Sequence, residues 1–251
     1  MNASDFALLG PPLIAGAVVL STHVPLGRQV LARGIIFIDL AIAQLAGLGV
    51  ILVHVMFDQP GGSTVQFAAF LAALGGALML RWAERHWPGV LEAVIGVVFV
   101  LAVSAALLML ANDPHGGERL KELLAGQLLW TTYDDLWLPA VVSLLILGVW
   151  KTVDVAHSPT VFYALFALSV TLSVQLVGVY LVFASLIIPA LATRGRRGSF
   201  AAYSVGLAGY LLGLFGSLMT DLPTGPSVVW AMATVALASA FLRRTKPQTS
   251  N

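Results

Sequence analysis

The sequence predicts an all-α integral membrane protein, about eight or nine transmembrane helices in one polytopic bundle, and three observations carry that prediction. Of its 251 residues, 59% are hydrophobic and 10% are charged, whereas a soluble domain carries about 25% charged residues. Uncharged apolar runs such as 136–150 and 201–219 approach the ~20 apolar residues with which a helix crosses a bilayer. Such runs follow one another along the whole chain, so residues 1–251 read as a single transmembrane domain.

The first run, 6–22, is preceded by Asp5 and by no cluster of positive charge; no cleavable signal is expected there, and the run is expected to stay as a crossing. Further crossings are expected near 35–57, 64–80, 90–111, 136–150, 201–219 and 226–242. Residues 118–135 fit no crossing. Leu120, Leu123, Leu124, Leu128 and Trp130 are mixed with charge there, the pattern of a short amphipathic helix in the outer interface. The stretch 161–193 is too long for one crossing, because about 30 apolar residues in one helix reach ~45 Å, against a ~30 Å hydrocarbon core. It is expected to turn near Gln175 to Gly178, as two short crossings or a broken hairpin. Counted as two, it makes nine segments and sets the termini on opposite sides.

The formal net charge of +1 hides a sorting. On this map Arg28, Arg33, Arg81, Arg85, Lys151, Arg194, Arg196, Arg197, Arg243, Arg244 and Lys246 share one side, and only Arg119 and Lys121 lie on the other. Positive residues are held on the cytoplasmic side, so the chain is expected to be a multi-pass protein of the inner (cytoplasmic) membrane with a cytoplasmic tail, 243–251. Most acidic residues, among them Asp58, Asp134, Asp135 and Asp221, fall outside. An acidic mouth concentrates cations; acidic outer loops with no role are the alternative reading.

The chain lacks Cys, which excludes disulfides and thiolate ligands and leaves O and N donors for any metal. It also lacks the G-x-x-x-x-G-K-[ST] phosphate loop, so transport driven by ATP needs another chain to hydrolyse it. No Ser/His, paired-Asp or metal-protease spacing is present, and no catalytic residue or bound cofactor is expected.

Two carboxylates, Asp39 and Glu92, survive inside apolar segments, where an ionisable group costs at least about 2.5–3.5 kcal/mol. Asp39 reads either as an oxygen ligand for a cation or as a buried carboxylate bonded to a neighbouring helix. Gln44 lies about 140° round the helix from it, and His54, 15 residues on, is ~22 Å away along the axis. Glu92 opens its segment, where the positive end of the helix dipole favours an acid. Gln44, Gln175 and Glu92 are the candidate polar lining of a translocation path, Gln175 because broken transporter helices turn backbone toward the path; polar glue between helices is its alternative. His54, beside Asp58 near the outer interface, is either an interfacial histidine or part of a way in. His23, His86, His115 and His157 are expected in loops, solvated. Pro189 is expected to break its helix at the cytoplasmic face. The basic loop 193–199, with Arg194, Arg196 and Arg197, then suits either a docking partner or a topogenic anchor.

Several motifs resemble one family, the membrane permeases of ABC importers for zinc, manganese and iron. Residues 174–190, VQLVGVYLVFASLIIPA, resemble its run ahead of the ATPase-coupling region. Residues 221–226, DLPTGP, are similar to the turn before its last helix, and 92–99, EAVIGVVF, to its E-x-x-IG-x-x-F opening. Residues 123–129, LLAGQLL, look like its LLFGDLL segment with Gln127 in place of Asp. The resemblance implies a homodimer around a central path, cytoplasmic ABC ATPase subunits docking near 185–202, an extracytoplasmic metal-binding protein, and a divalent metal ion as cargo; it implies no nucleic-acid partner. In the family's GD-x-x-x-H-A pattern the Asp is kept as Asp39, the one metal residue carried over, while Ala43 stands at the His position and Gln44 is the nearest polar residue. The connection 151–159 is also shorter than the family's. Loss of the nitrogen ligand weakens a zinc assignment. A cation-selective secondary transporter or channel remains a second reading, although no internal copy of the Asp39 or Gln175 surroundings is seen. A non-transporting scaffold is a third.

Overall fold

The computed structural model describes residues 3–57, 60–111, 113, 116–195 and 199–244. Asp58, His115, Arg196, Arg197 and the tail from 245 lie outside them. Ten α-helices follow one another: α1 (Ala3–Arg33), α2 (Ile38–Met56), α3 (Gly62–His86), α4 (Leu91–Leu110), α5 (Gly116–Ala125), α6 (Trp137–Thr152), α7 (Pro159–Val177), α8 (Val179–Ala192), α9 (Phe200–Thr220) and α10 (Thr224–Arg244). No strand forms among the described residues. Among the described residues, seven helices are long and apolar enough to span a membrane, and the shorter apolar α6 and α8 complete the nine expected segments.

Contacts between loops sort the helix ends into two groups. At the basic end, Arg33 closes α1 by meeting Glu84 of α3 at 3.3 Å and donating to the Ala156 carbonyl at 3.0 Å, while Arg28 donates to Ser199 Oγ at 2.9 Å. The links after α1, α3, α6 and α8 therefore share one end. At the opposite end the backbone after α5 packs against the α7–α8 break and the start of α10.

That break is a single residue. Gly178 has φ 80° and ψ 162°, a combination open essentially to Gly alone, and it stops α7 and starts α8 without a loop. At 14 residues, α8 reaches about 21 Å, short of a hydrocarbon core. It is tolerated because Val179, Leu181, Val182, Ser185 and Leu186 are all buried in protein, so its ends need not meet lipid. Helix α7 is apolar on every side, the mark of a helix surrounded by others, and Phe162, Phe166 and Val170 are fully enclosed.

Three expectations are corrected. His23 is not in a solvated loop: α1 runs on past it to Arg33, and the ring is fully buried with Nδ1 2.9 Å from the Val19 carbonyl. The helix survives Pro25 because the carbonyl that loses its amide partner, Ser21, receives the Tyr203 hydroxyl of α9 at 3.2 Å. Pro189 does not end its helix, since α8 continues to Ala192 and only one intrahelical bond, to Ser185, is lost in the last turn. Finally, His86 is the last residue of α3; it is exposed, as is His157.

Candidate functional site

The two intramembrane carboxylates meet one turn of backbone at the basic end. Asp39 is the second residue of α2, nearer the helix start than the sequence suggests, because Gly34 (φ 72°) and the turn after it delay the helix to Ile38. It is fully buried, and neither carboxylate oxygen has a hydrogen-bond partner among the described residues. The unpaired N–H groups of a helix's first turn favour negative charge at this position. Glu92, in the first turn of α4, accepts the Phe37 N–H through Oε1 at 3.2 Å, which fastens the start of α2 to α4. Its other oxygen, Oε2, is buried with no hydrogen-bond partner among the described residues. Among the described residues no three His, Asp or Glu side chains gather, so an ion at Asp39 would need carbonyl, amide or water oxygens, or a second chain, to complete its shell.

Gln44 belongs elsewhere. It is buried on the side of α2 that faces a lateral groove of 660 Å³, whose walls include Tyr180 and Phe183 of α8 and Trp230 of α10. Tyr180 and Trp230 are largely exposed there. The amphipathic segment expected at 118–135 is α5 followed by a short 3-10 turn, Leu128–Trp130. Rather than lying free in the interface, α5 closes the far end of this groove with Leu120 and Leu124.

Gln175 sits at the end opposite Asp39, on the last turn of α7, and is exposed. Together with His54 and Gln127 it lines a cavity of 480 Å³; with Gln127, Asp134 and Asp135 it lines a second of 330 Å³. Gln127 also borders a third, of 540 Å³, beside Glu118, Lys121 and Asp221. The loop that carries Gln127 is held by a backbone clasp: Gly126 (φ 69°) and Gly178 lie so close that a Cβ on either would overlap the other's backbone, and a Cβ at Gly225 would meet the Ala125 carbonyl. Asp135 accepts the Thr132 N–H and hydroxyl, each at 2.8 Å, and the backbone N–H bond, foremost, holds its pKa below the usual carboxylate value.

At the basic end the turn after α8 exposes Arg194, flanked by Leu191 and Phe200, which are 55% and 85% exposed. Pro189 is buried one turn behind it. The expected site residues thus divide into four places: Asp39 with Glu92, Gln44 in the groove, Gln175 at the cavities of the end opposite Asp39, and Pro189 with Arg194 at the basic turn. Sequence reasoning did not join Gln127 and His54 to Gln175. No periodicity could have done so, because the glycine clasp joins segments about 50 residues apart.

A family model described as the ABC 3 transport family matches residues 5–153 and 149–243. A "Probable metal transport system membrane protein" of Chlamydia muridarum is 25% identical, over 94% of this chain and 89% of its own. The high-affinity zinc uptake system membrane protein ZnuB of Haemophilus influenzae is 24% identical, over 95% of this chain and 98% of its own. Among solved structures, PsaBC from Streptococcus pneumoniae in complex with Fab has a similar fold, with a TM-score of 0.74 and 20% identity over 94% of this chain and 91% of the matched one. Nearly the whole length takes part in these matches, and the chain belongs to the ABC 3 transport family.

Proposed function

We propose that the chain is the membrane permease subunit of an ABC importer that moves a divalent metal ion, zinc or manganese, across the cytoplasmic membrane. The observation that carries the reading is Asp39, an enclosed carboxylate with two unpartnered oxygens. In its ionised form such a carboxylate is costly without a partner, and a cation passing the first turn of α2 would supply one. Relatives named for metal transport and for zinc uptake support the same cargo.

On this reading the ion passes Asp39 at the first turn of α2, Gln44 is a polar contact on another face of that helix, at the lateral groove, and a second copy of the chain closes the groove as a homodimer. Separate cytoplasmic ATPase subunits dock at the region near 185–202, where exposed Leu191 and Phe200 flank Arg194; an extracytoplasmic binding protein delivers the ion to the opposite end. Glu92 acts by holding the start of α2. The test is metal-dependent growth and accumulation, measured ion by ion, in cells carrying wild-type chain or Asp39→Ala. Loss of uptake with normal membrane assembly is the expected result. Unchanged uptake of every ion would remove Asp39 from the path, and a stable chain that passes ions without an ATPase would make it a carrier.

A further inference from the structure

We infer that His54, Gln127 and Gln175 form an outer binding station for a borderline divalent cation, zinc in preference to manganese, separate from Asp39 and sited at the other end of α2. The inference rests on the transport reading above and adds the place where the ion is selected.

Three observations converge on it. His54 Nδ1 lies 2.8 Å from the Val50 carbonyl; a carbonyl only accepts, so Nδ1 is the donor in this contact and Nε2 is the ring nitrogen left to meet a metal. That is the form in which imidazole binds metal, with its other nitrogen fixed by a backbone carbonyl. Second, the ring shares its 480 Å³ cavity with two side-chain amides, Gln127 and Gln175, each offering a carbonyl oxygen. Third, their juxtaposition is built: the Gly126–Gly178 backbone clasp holds the two loops that carry them, and replacing either glycine would push them apart. Both amides also border the cavity of Asp134 and Asp135, so a cation drawn by those carboxylates reaches the amides before the imidazole.

The donor set has consequences. The imidazole nitrogen is the donor that favours zinc over manganese, whereas the amide carbonyl oxygens are of the class that also suits manganese. Because the set carries no charge, binding is weak enough to release the ion onward, whereas carboxylates would retain it. Residue 43, one turn after Asp39, is Ala, and the nitrogen donor on α2 stands near its other end.

The experiment uses the full chain in lipid nanodiscs and zinc chloride alone. Zinc titration is compared for wild type, His54→Ala, Gln175→Leu and Asp39→Asn, with thermal melting to verify folding. In parallel, diethylpyrocarbonate labelling of the five histidines is read by mass spectrometry with and without zinc. Expected are at least a tenfold loss of one zinc site in His54→Ala, a smaller loss in Gln175→Leu, retention of that site in Asp39→Asn, and zinc protection of His54 from labelling in the wild type. Zinc binding that is the same in wild type and His54→Ala, or no protection of His54, overturns the station. The transport reading fails separately, if cells with the wild-type chain accumulate no metal.

Discussion

Gly178→Ala tests the clasp on which the outer cavities depend. At φ 80° and ψ 162° a side chain costs about 1–3 kcal/mol in backbone strain alone. The added Cβ would also lie 2.6 Å from the Ala125 carbonyl carbon and closer still to the Gly126 nitrogen. Backbone atoms held by α5 and α10 cannot swing aside as a flexible side chain does, so overlap adds to the strain and the expected total is at least ~3 kcal/mol. Gly216→Ala is the matched control: it lies inside α9 with nothing within 4 Å of the new methyl, and should gain roughly 0.5–1 kcal/mol from the lost backbone freedom. Equilibrium unfolding in mixed micelles reads both. A second probe uses the absence of native cysteine: maleimide labelling of Gln127→Cys should accelerate when Gly178→Ala is added. If Gly178→Ala unfolds within 1 kcal/mol of wild type and leaves labelling unchanged, the close approach of the two loops is not what shapes the site.

Two further outcomes follow from the packing of α1. Tyr203→Phe leaves the Ser21 carbonyl without its donor and should cost about 1 kcal/mol; in a Pro25→Ala background the restored amide takes that carbonyl, and the same substitution should cost almost nothing, which a double-mutant cycle measures. Arg33→Ala removes the Glu84 pair, a donor to the Ala156 carbonyl and a cation 4.6 Å from the Phe162 ring centre, a combined loss of about 2 kcal/mol. Arg33→Lys should recover less than half, because the ammonium lacks the planar fork; unfolding of Arg33→Lys at the wild-type denaturant concentration would contradict this.

The arrangement of crossings was legible in the sequence because lipid imposes it. A ~30 Å hydrocarbon core cannot hold 161–193 as one straight helix, and the break falls at Gly178, inside the expected turn. Charge sorting was legible for the same reason: Arg28 and Arg33 near the end of α1, Arg81 near the end of α3 and Arg194 in the turn after α8 fall at the one end that the contacts group together. What stayed hidden depends on partners remote in sequence. His23 reads as a loop residue because Pro25 and Arg28 follow it, and the Tyr203 phenol that lets the helix continue comes from α9. Asp39 reads as one turn deep because apolar residues precede it, whereas the positive φ of Gly34 shifts the start of α2. The grouping of His54, Gln127 and Gln175 requires two glycine backbones in contact, which leave no hydrophobic period to detect.

The geometry of α2 bears on why one chain would be insufficient for the proposed transport. Its polar ends, Asp39 and His54, are separated by about 22 Å of helix, and Gln44 is buried against the lateral groove between them. An ion passing along that groove alone would run beside exposed Tyr180 and Trp230 and the hydrocarbon, where a bare charge is strongly disfavoured. Closing the groove with a second copy replaces lipid by protein and brings a second Gln44 toward the same passage. On the proposed function a homodimer would answer to solvation as well as to symmetry. Gln44→Leu should accordingly reduce metal uptake without altering the zinc titration at His54, because it removes an oxygen from the passage and none from the outer station; equal losses in both measurements would mean that the two sites are one.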